Sequence, residues 1–266
     1  MKISVIISTY NRPHYLRKVL CGYMSQTFRE FEVVVADDGS SGETASVVDE
    51  SARASDIRVI HVWHPDEGFR LAMIRNRAVA RSSGEYLIFT DDDCIPAPRF
   101  VLDHYRYSEE GFFLQGHRVL IGEGASGGFD HGSTAPAKLF ALMLRGEVGN
   151  FLNSLRPPLP WIRKGESLRG IRGCNMSLFR RDFLAVNGFN EDFEGWGRED
   201  SDLVARLYKF GIRRKDVKFR ACCFHLHHAM FDRERLERNT ALLRQAVEGD
   251  HYWCRNGVDK YLDGRA

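Results

Sequence analysis

The chain has 266 residues with Lys+Arg 38 against Asp+Glu 36, a formal net charge of +2, so no global field selects nucleic acid or an acidic polymer as its partner. At 43% hydrophobic content it can bury a sizeable core as one large domain. Its longest apolar runs, such as Val33-Val34-Val35-Ala36 and Tyr86-Leu87-Ile88-Phe89, are strand-sized and far below the ~20 residues of a membrane span. It starts directly on Ile3-Ser4-Val5-Ile6-Ile7, so no signal peptide is expected. Six cysteines with no CxxC pair fit reduced thiols and a cytoplasmic location.

In chain order the apolar pattern predicts a strand at 3–7, then a helix at 15–24 carried by Leu16, Val19, Leu20 and Tyr23. A strand at 32–36, a helix at 43–54, a strand at 58–62, a helix at 71–80 and a strand at 86–90 follow. This alternation implies an α/β fold, a mainly parallel sheet with helices on both faces and ligands beyond the carboxyl ends of the strands. Residues 122–132, rich in Gly and Ser, and 156–163, with three prolines ahead of Trp161-Ile162, read as loops. The second is a candidate lid or acceptor-docking segment. A helix at 200–210 stopped by Gly211, a strand at 218–225 and a charged helix at 233–247 complete the pattern.

Polar residues gather at the predicted strand ends. In Asp91-Asp92-Asp93, strand alternation turns Asp91 and Asp93 to one face and Asp92 to the other. Two carboxylates on one site repel unless a divalent ion bridges them to a diphosphate; turn residues capping backbone amides before Pro96 are the bland alternative. In His225-Leu226-His227-His228, alternation pairs His225 with His227, and mixed oxygen and nitrogen ligation favours Mn2+ over Mg2+. Trp196 between Gly195 and Gly197 offers a hinged aromatic platform for a sugar ring, with Glu199 and Asp200 beside it. Acidic residues in a first helical turn are also ordinary stabilisers. Arg70 and Arg75, on a helix beside the acidic strand end, offer charge-assisted contacts to phosphate.

Over roughly its first 110 residues the chain resembles the family 2 glycosyltransferases, which have the GT-A fold. The resemblance is carried by Val5-Ile6-Ile7-Ser8-Thr9-Tyr10-Asn11-Arg12, Gln26-Thr27-Phe28, Val34-Val35-Ala36-Asp37-Asp38-Gly39-Ser40, Arg75-Asn76 and Gly84-Glu85-Tyr86-Leu87-Ile88-Phe89-Thr90-Asp91-Asp92-Asp93. The second half resembles β-1,4-galactosyltransferases and bacterial chondroitin-type polymerases through Gly173-Cys174-Asn175-Met176-Ser177, Gly195-Trp196-Gly197-Arg198-Glu199-Asp200 and His225-Leu226-His227.

The resemblance implies that Thr9, Tyr10, Asn11 and Asp38 hold a nucleoside and that Asp91 approaches its ribose. Arg75, Asn76 and Asp92 stand with the substrate-binding residues, and Asp93 binds the metal, Mn2+ or Mg2+, with His225 and His227, His228 in place of His227 being left open. Glu199 orients the acceptor beside Trp196 and Gly197, and Asp200 is the general base. Residues 1–115 form a nucleotide-sugar half and 116–266 an acceptor half of one domain. The implied activity is inverting transfer of a hexose or N-acetylhexosamine from a UDP donor to a saccharide or lipid-linked glycan, in bacterial surface polysaccharide or lipopolysaccharide synthesis. Trp161-Ile162-Arg163-Lys164 suits peripheral contact with the inner membrane surface. A sugar-phosphate nucleotidyltransferase needs a Gly-rich loop after the first strand, where Thr9-Tyr10-Asn11-Arg12-Pro13 has none. A carbohydrate-binding module leaves the acidic strand end unexplained.

Overall fold

The computed structural model describes residues 1–229 and 232–262. The strands β1 (Ile3–Thr9), β2 (Phe31–Asp37), β3 (Val59–Trp63) and β4 (Tyr86–Asp91) are parallel, in the order β3-β2-β1-β4. Every residue of β1 and β2 is buried, as expected of parallel strands covered on both faces. Alternation then sorts the side chains. Val5 and Ile7 pack with Leu16, Val19 and Val47 from the helices Pro13–Met24 and Gly42–Arg53. Ile6 and Val34 face the other way, onto Ala72 and Val79 of Leu71–Arg81 and Leu203 and Leu207 of Glu199–Lys209.

The chain travels outward from β1 to β2 and β3, then returns to the opposite side of β1 for β4. That reversal opens a crevice over the carboxyl ends of β1 and β4, where Thr9 and Asp91 lie.

Eight further strands follow: β5 (Cys94–Pro96), β6 (Phe112–Gln115), β7 (His117–Ile121), β8 (Val148–Gly149), β9 (Trp161–Gly165), β10 (Asn175–Phe179), β11 (Arg213–Lys218) and β12 (Cys222–His225). The large sheet continues past β4 as β10-β6-β11-β9, with β10 antiparallel to both β4 and β6. Strands from both halves of the chain therefore share one sheet. A second sheet, β5-β12-β7-β8, stands over the carboxyl end of β4.

Two segments pass between the sheets side by side. At Gly116, between β6 and β7, an added Cβ would lie 2.2 Å from Asn175 Oδ1, so only glycine fits. Between β11 and β12 the chain turns through Phe219 (φ 70°) and Ala221 (φ 48°). The buried Asn175 Nδ2 donates to the carbonyls of both His117 and Ala221 and ties the crossings together.

That turn splits the strand predicted at 218–225 into the end of β11 and β12. The segment predicted as a loop at 122–132 contains the helical turn Glu123–Ser126, and His131–Thr134 begins a 3-10 turn at its end. The second predicted loop, 156–163, runs into β9, whose Trp161 pairs with Lys218 at the sheet edge; backbone pairing thus anchors its last residues.

Candidate active site

A cavity of about 630 Å³ opens over the crevice. β4 ends at Asp91 and β5 begins at Cys94, so Asp92 and Asp93 sit in a turn and the alternation expected of them does not persist. All three carboxylates line the cavity. Asp91 Oδ1 accepts from Arg75 Nη2 at 2.8 Å, and Asp92 Oδ2 accepts from Thr9 Oγ1 at 2.7 Å. Burial and the adjacent Asp93 charge push the Asp92 carboxyl well above its ordinary value. Burial acts on Asp93 too, but there a hydrogen bond from His228 and the charges of His225 and His228 outweigh it, holding Asp93 down to about 2.

Asp93, His225 and His228 each direct a ligand atom to one point, all within 4.8 Å of one another. The sequence pairs His225 with His227 by alternation; the structure corrects this. β12 ends at His225, and Leu226 turns its N–H onto the Asp93 carbonyl at 2.9 Å. His227 is left exposed, its backbone N–H donating to Ser126 Oγ and its carbonyl accepting from Tyr15. His228 then comes round to place Nε2 3.1 Å from Asp93 Oδ2. One carboxylate and two imidazoles opening on the cavity offer the mixed oxygen and nitrogen ligands that a divalent cation can take.

On the opposite wall, Arg75 is 1% exposed, and its guanidinium donates to Ser8, Asp91 and Glu199. Gly173 packs against it, where a Cβ would come within 3.0 Å of Nη1. Burial and the Asp200 charge push Glu199 up to about 7, against the pull of Arg75. Asp200 lines the cavity with its carboxylate fixed by three donors: Gly173 N at 3.1 Å, Ser201 N at 2.6 Å and Ser201 Oγ at 3.1 Å. The turn that delivers this pair is tight. Gly195, Gly197 and Arg198 have φ of 72°, 99° and 82°, which seats Trp196 on the cavity wall with the Arg233 guanidinium 5.0 Å from its ring.

Asp38, also in the cavity, accepts from the Arg70 backbone N–H and pairs with His64 Nε2 at 2.8 Å. Burial raises its carboxyl, with the His64 hydrogen bond opposing. Thr9 and Tyr10 line the same wall, the Tyr10 hydroxyl bonded to Asp66. Besides His227, three of the residues picked from sequence lie outside the cavity lining. Asn11, at φ 50°, caps Ser41; the Arg70 side chain pairs with Glu194; Asn76 is fully buried against Phe189 and Glu191.

Against known proteins, the model of glycosyl transferase family 2 matches residues 4–184. The chain belongs to this family. A second model, described as the N-terminal domain of galactosyltransferase, matches residues 162–229, the stretch that holds Glu199, Asp200 and His225. The chain is 30% identical to validoxylamine A glucosyltransferase of Streptomyces hygroscopicus subsp. jinggangensis over 79% of its length and 52% of the relative's. It is 26% identical to the chondroitin synthase of Escherichia coli, over 81% of this chain and 33% of that one. It thus spans about half or less of these relatives. The S. aureus TarS 1-349 structure in complex with UDP superposes with a TM-score of 0.65 at 19% identity, covering 100% of this chain and 70% of that one. The fold is GT-A, like that of this family 2 chain's structural neighbours.

Within the family 2 cavity stand residues that sequence reasoning did not select. Arg12 lies 3.3 Å from Asp93, and Arg118, Arg172 and Arg233 line the walls. Arg12 carried a signal, its place directly after the first strand end in a motif of the resemblance. The others carried none, because an arginine outside a motif is ordinarily a solvated surface group.

Proposed function

We propose that this chain is an inverting glycosyltransferase that moves a hexose or N-acetylhexosamine from a UDP donor to a saccharide or lipid-linked hydroxyl. The observation that carries the reading is that one cavity joins Asp38 and Asp91 to the cluster Asp93, His225 and His228, and to Asp200. Residues 1–115 supply most of the donor side and 116–266 most of the acceptor side. Membership of family 2 and the UDP complex of TarS support a nucleotide-sugar donor.

Asp38 and Thr9 face the nucleoside, and Asp91, kept in place by Arg75, faces the ribose. Asp93, His225 and His228 would hold Mn2+ or Mg2+, which when bound neutralises charge on the departing diphosphate. Trp196 offers its ring face to the sugar, and Glu199 orients the acceptor. The Asp200 carboxylate takes the proton from the acceptor hydroxyl as that oxygen attacks the anomeric carbon in line with the leaving phosphate. No helix among the described residues is long and apolar enough to cross a membrane. Contact with a bilayer, if the acceptor is lipid-linked, falls to the exposed Trp161 and Ile162, and the biological setting is bacterial surface glycan synthesis at the cytoplasmic face.

Calorimetric titration of UDP, other nucleoside diphosphates and their sugars, with and without Mn2+, tests this in the wild type and Asp93→Ala. Cation-dependent binding of a uridine nucleotide, lost in the variant, is expected. Absence of nucleotide binding under every condition would return the chain to carbohydrate binding without turnover.

A further inference from the structure

Most buried charges around the cavity are matched: Arg75 meets Asp91 and Glu199, and Arg12 meets Asp92 and Asp93. Arg118 and Arg172 are different. Both line the cavity half-buried, and among the described residues neither side chain has a carboxylate partner; the Arg118 guanidinium has only the Cys174 sulfur, at 3.9 Å.

Their placement is built in. The parallel register of β7 and β12 sets Arg118 opposite Cys223 and Leu120 opposite His225, so Arg118 lies on the His225 face of the small sheet, one step along. Arg172 immediately precedes Gly173, whose N–H donates to Asp200. Its backbone is clamped on both sides by the buried Gln115, whose Oε1 accepts from Arg172 N and whose Nε2 donates to the Arg172 carbonyl, each at 3.1 Å. The two arginines therefore close the wall between His225 and Asp200. They also repel each other: burial first, then the Arg118 charge, pushes the Arg172 pKa down.

Two half-buried cations sharing a cavity wall without a counter-charge are costly as they stand, and an anion offering two oxygens relieves that cost with charge-assisted, forked hydrogen bonds. We infer that Arg118 and Arg172 form a subsite for an anionic group, a carboxylate or a phosphate, carried by the acceptor. The acceptor is the substrate that must approach Asp200, and Arg172 stands beside that residue. The inference rests on the transferase reading for the word acceptor, but the anion site stands on the arginines alone.

Saturation-transfer NMR with UDP and Mg2+ present tests it, using methyl glucuronide and glycerol 3-phosphate as anionic probes, with methyl glucoside and glycerol as neutral counterparts. The anionic probes are expected to bind and the neutral ones not. Arg118→Gln with Arg172→Gln should weaken the probes about tenfold or more, while UDP affinity changes less than about threefold. The double Lys variant should recover part of the loss. Preference for glucuronide points to a uronic acid in the acceptor, and preference for glycerol phosphate to a phosphodiester. Equal binding of charged and neutral probes, or a loss of UDP matching the loss of probe, overturns the acceptor subsite. If the wild type binds the anions but no nucleotide, the transferase reading fails and the anion site survives it.

Discussion

Arg75 Nη1 donates to Glu199 Oε1 at 3.3 Å across 124 positions of sequence, joining the helix behind the parallel strands to the helix that presents Asp200. The same guanidinium donates to Asp91, so one buried cation holds two carboxylates of the cavity, Asp91 and Glu199.

Removing that cation leaves Asp91 and Glu199 facing each other without compensation. Arg75→Met should lower unfolding free energy by about 3–5 kcal/mol, the usual cost of breaking a buried pair by taking away one partner. Urea unfolding followed by circular dichroism measures it. A loss under about 1 kcal/mol would mean that the carboxylates simply take up protons and that the cation is dispensable to the fold.

The pH response of Glu199 follows from its raised pKa. With a folded value of about 7 against an ordinary 4.5, the neutral carboxyl stabilises the fold below the lower value, and that contribution is lost as pH rises through the upper one. Comparing wild type with Glu199→Gln between pH 4.5 and 8 isolates the effect from the other carboxyls. Wild type should lose about 2–3 kcal/mol relative to the variant over that interval. Parallel stability profiles would show that Arg75 already keeps Glu199 ionised.

The roles of His227 and His228 are separable by titration. His228→Ala should weaken Mn2+ binding about tenfold or more, roughly 1.4 kcal/mol, and His227→Ala should leave it within about twofold. Calorimetry in the presence of UDP reads both. The opposite ranking would require a rearrangement that frees His227 from its place against Ser126 and Tyr15.

Asp200→Asn keeps the size of the side chain and, through its one amide oxygen, the bonds from Ser201, but gives up the acceptor toward Gly173 and removes the basic carboxylate. Turnover should fall by about 10²–10⁴-fold while UDP binding stays within about threefold. Donor consumption with a panel of acceptor saccharides measures the first and calorimetry the second. Retained turnover would pass the base role to another carboxylate of the cavity.

How much of this could be read from the residues depends on whether local geometry follows local pattern. The strands around Ile3–Thr9 and Phe31–Asp37 were legible because both faces are covered and the apolar runs are unbroken. Asp93 and His225 were legible because each sits at or just past a strand end. His228 was not: alternation stops where β12 stops, and the position of the next residues is set by the Leu226 bond to the Asp93 backbone. The break at Phe219 and Ala221 left no trace either, since neither is a residue that normally marks positive φ. Arg118 and Arg172 acquire meaning only from tertiary structure, which among the described residues gives neither a carboxylate partner.

Membrane contact is the part of the proposal most open to a direct test, because the segment concerned is exposed and anchored. Leu159 is 81% exposed, Trp161 69% and Ile162 42%, and pairing of β9 with β11 fixes the backbone beneath the last two. Inserting Trp161 and Ile162 among acyl chains should contribute about 2 kcal/mol or more to partitioning, so changing both to Ser should reduce vesicle binding some thirtyfold. The neighbouring charges refine the expectation. Arg163 pairs with Asp216 and Lys164 with Glu109, but Arg214 and Lys215 share the same two carboxylates, so this edge keeps a net positive charge. Binding should then draw on lipid charge as well as apolar contact, being tighter on anionic than on zwitterionic vesicles and weakening as salt rises. Co-sedimentation with the two vesicle types, for wild type and the double Ser variant, measures each point. No binding by the wild type ends the proposal of membrane contact; binding that the double Ser change leaves intact shifts the responsible surface from Trp161 and Ile162 to another face.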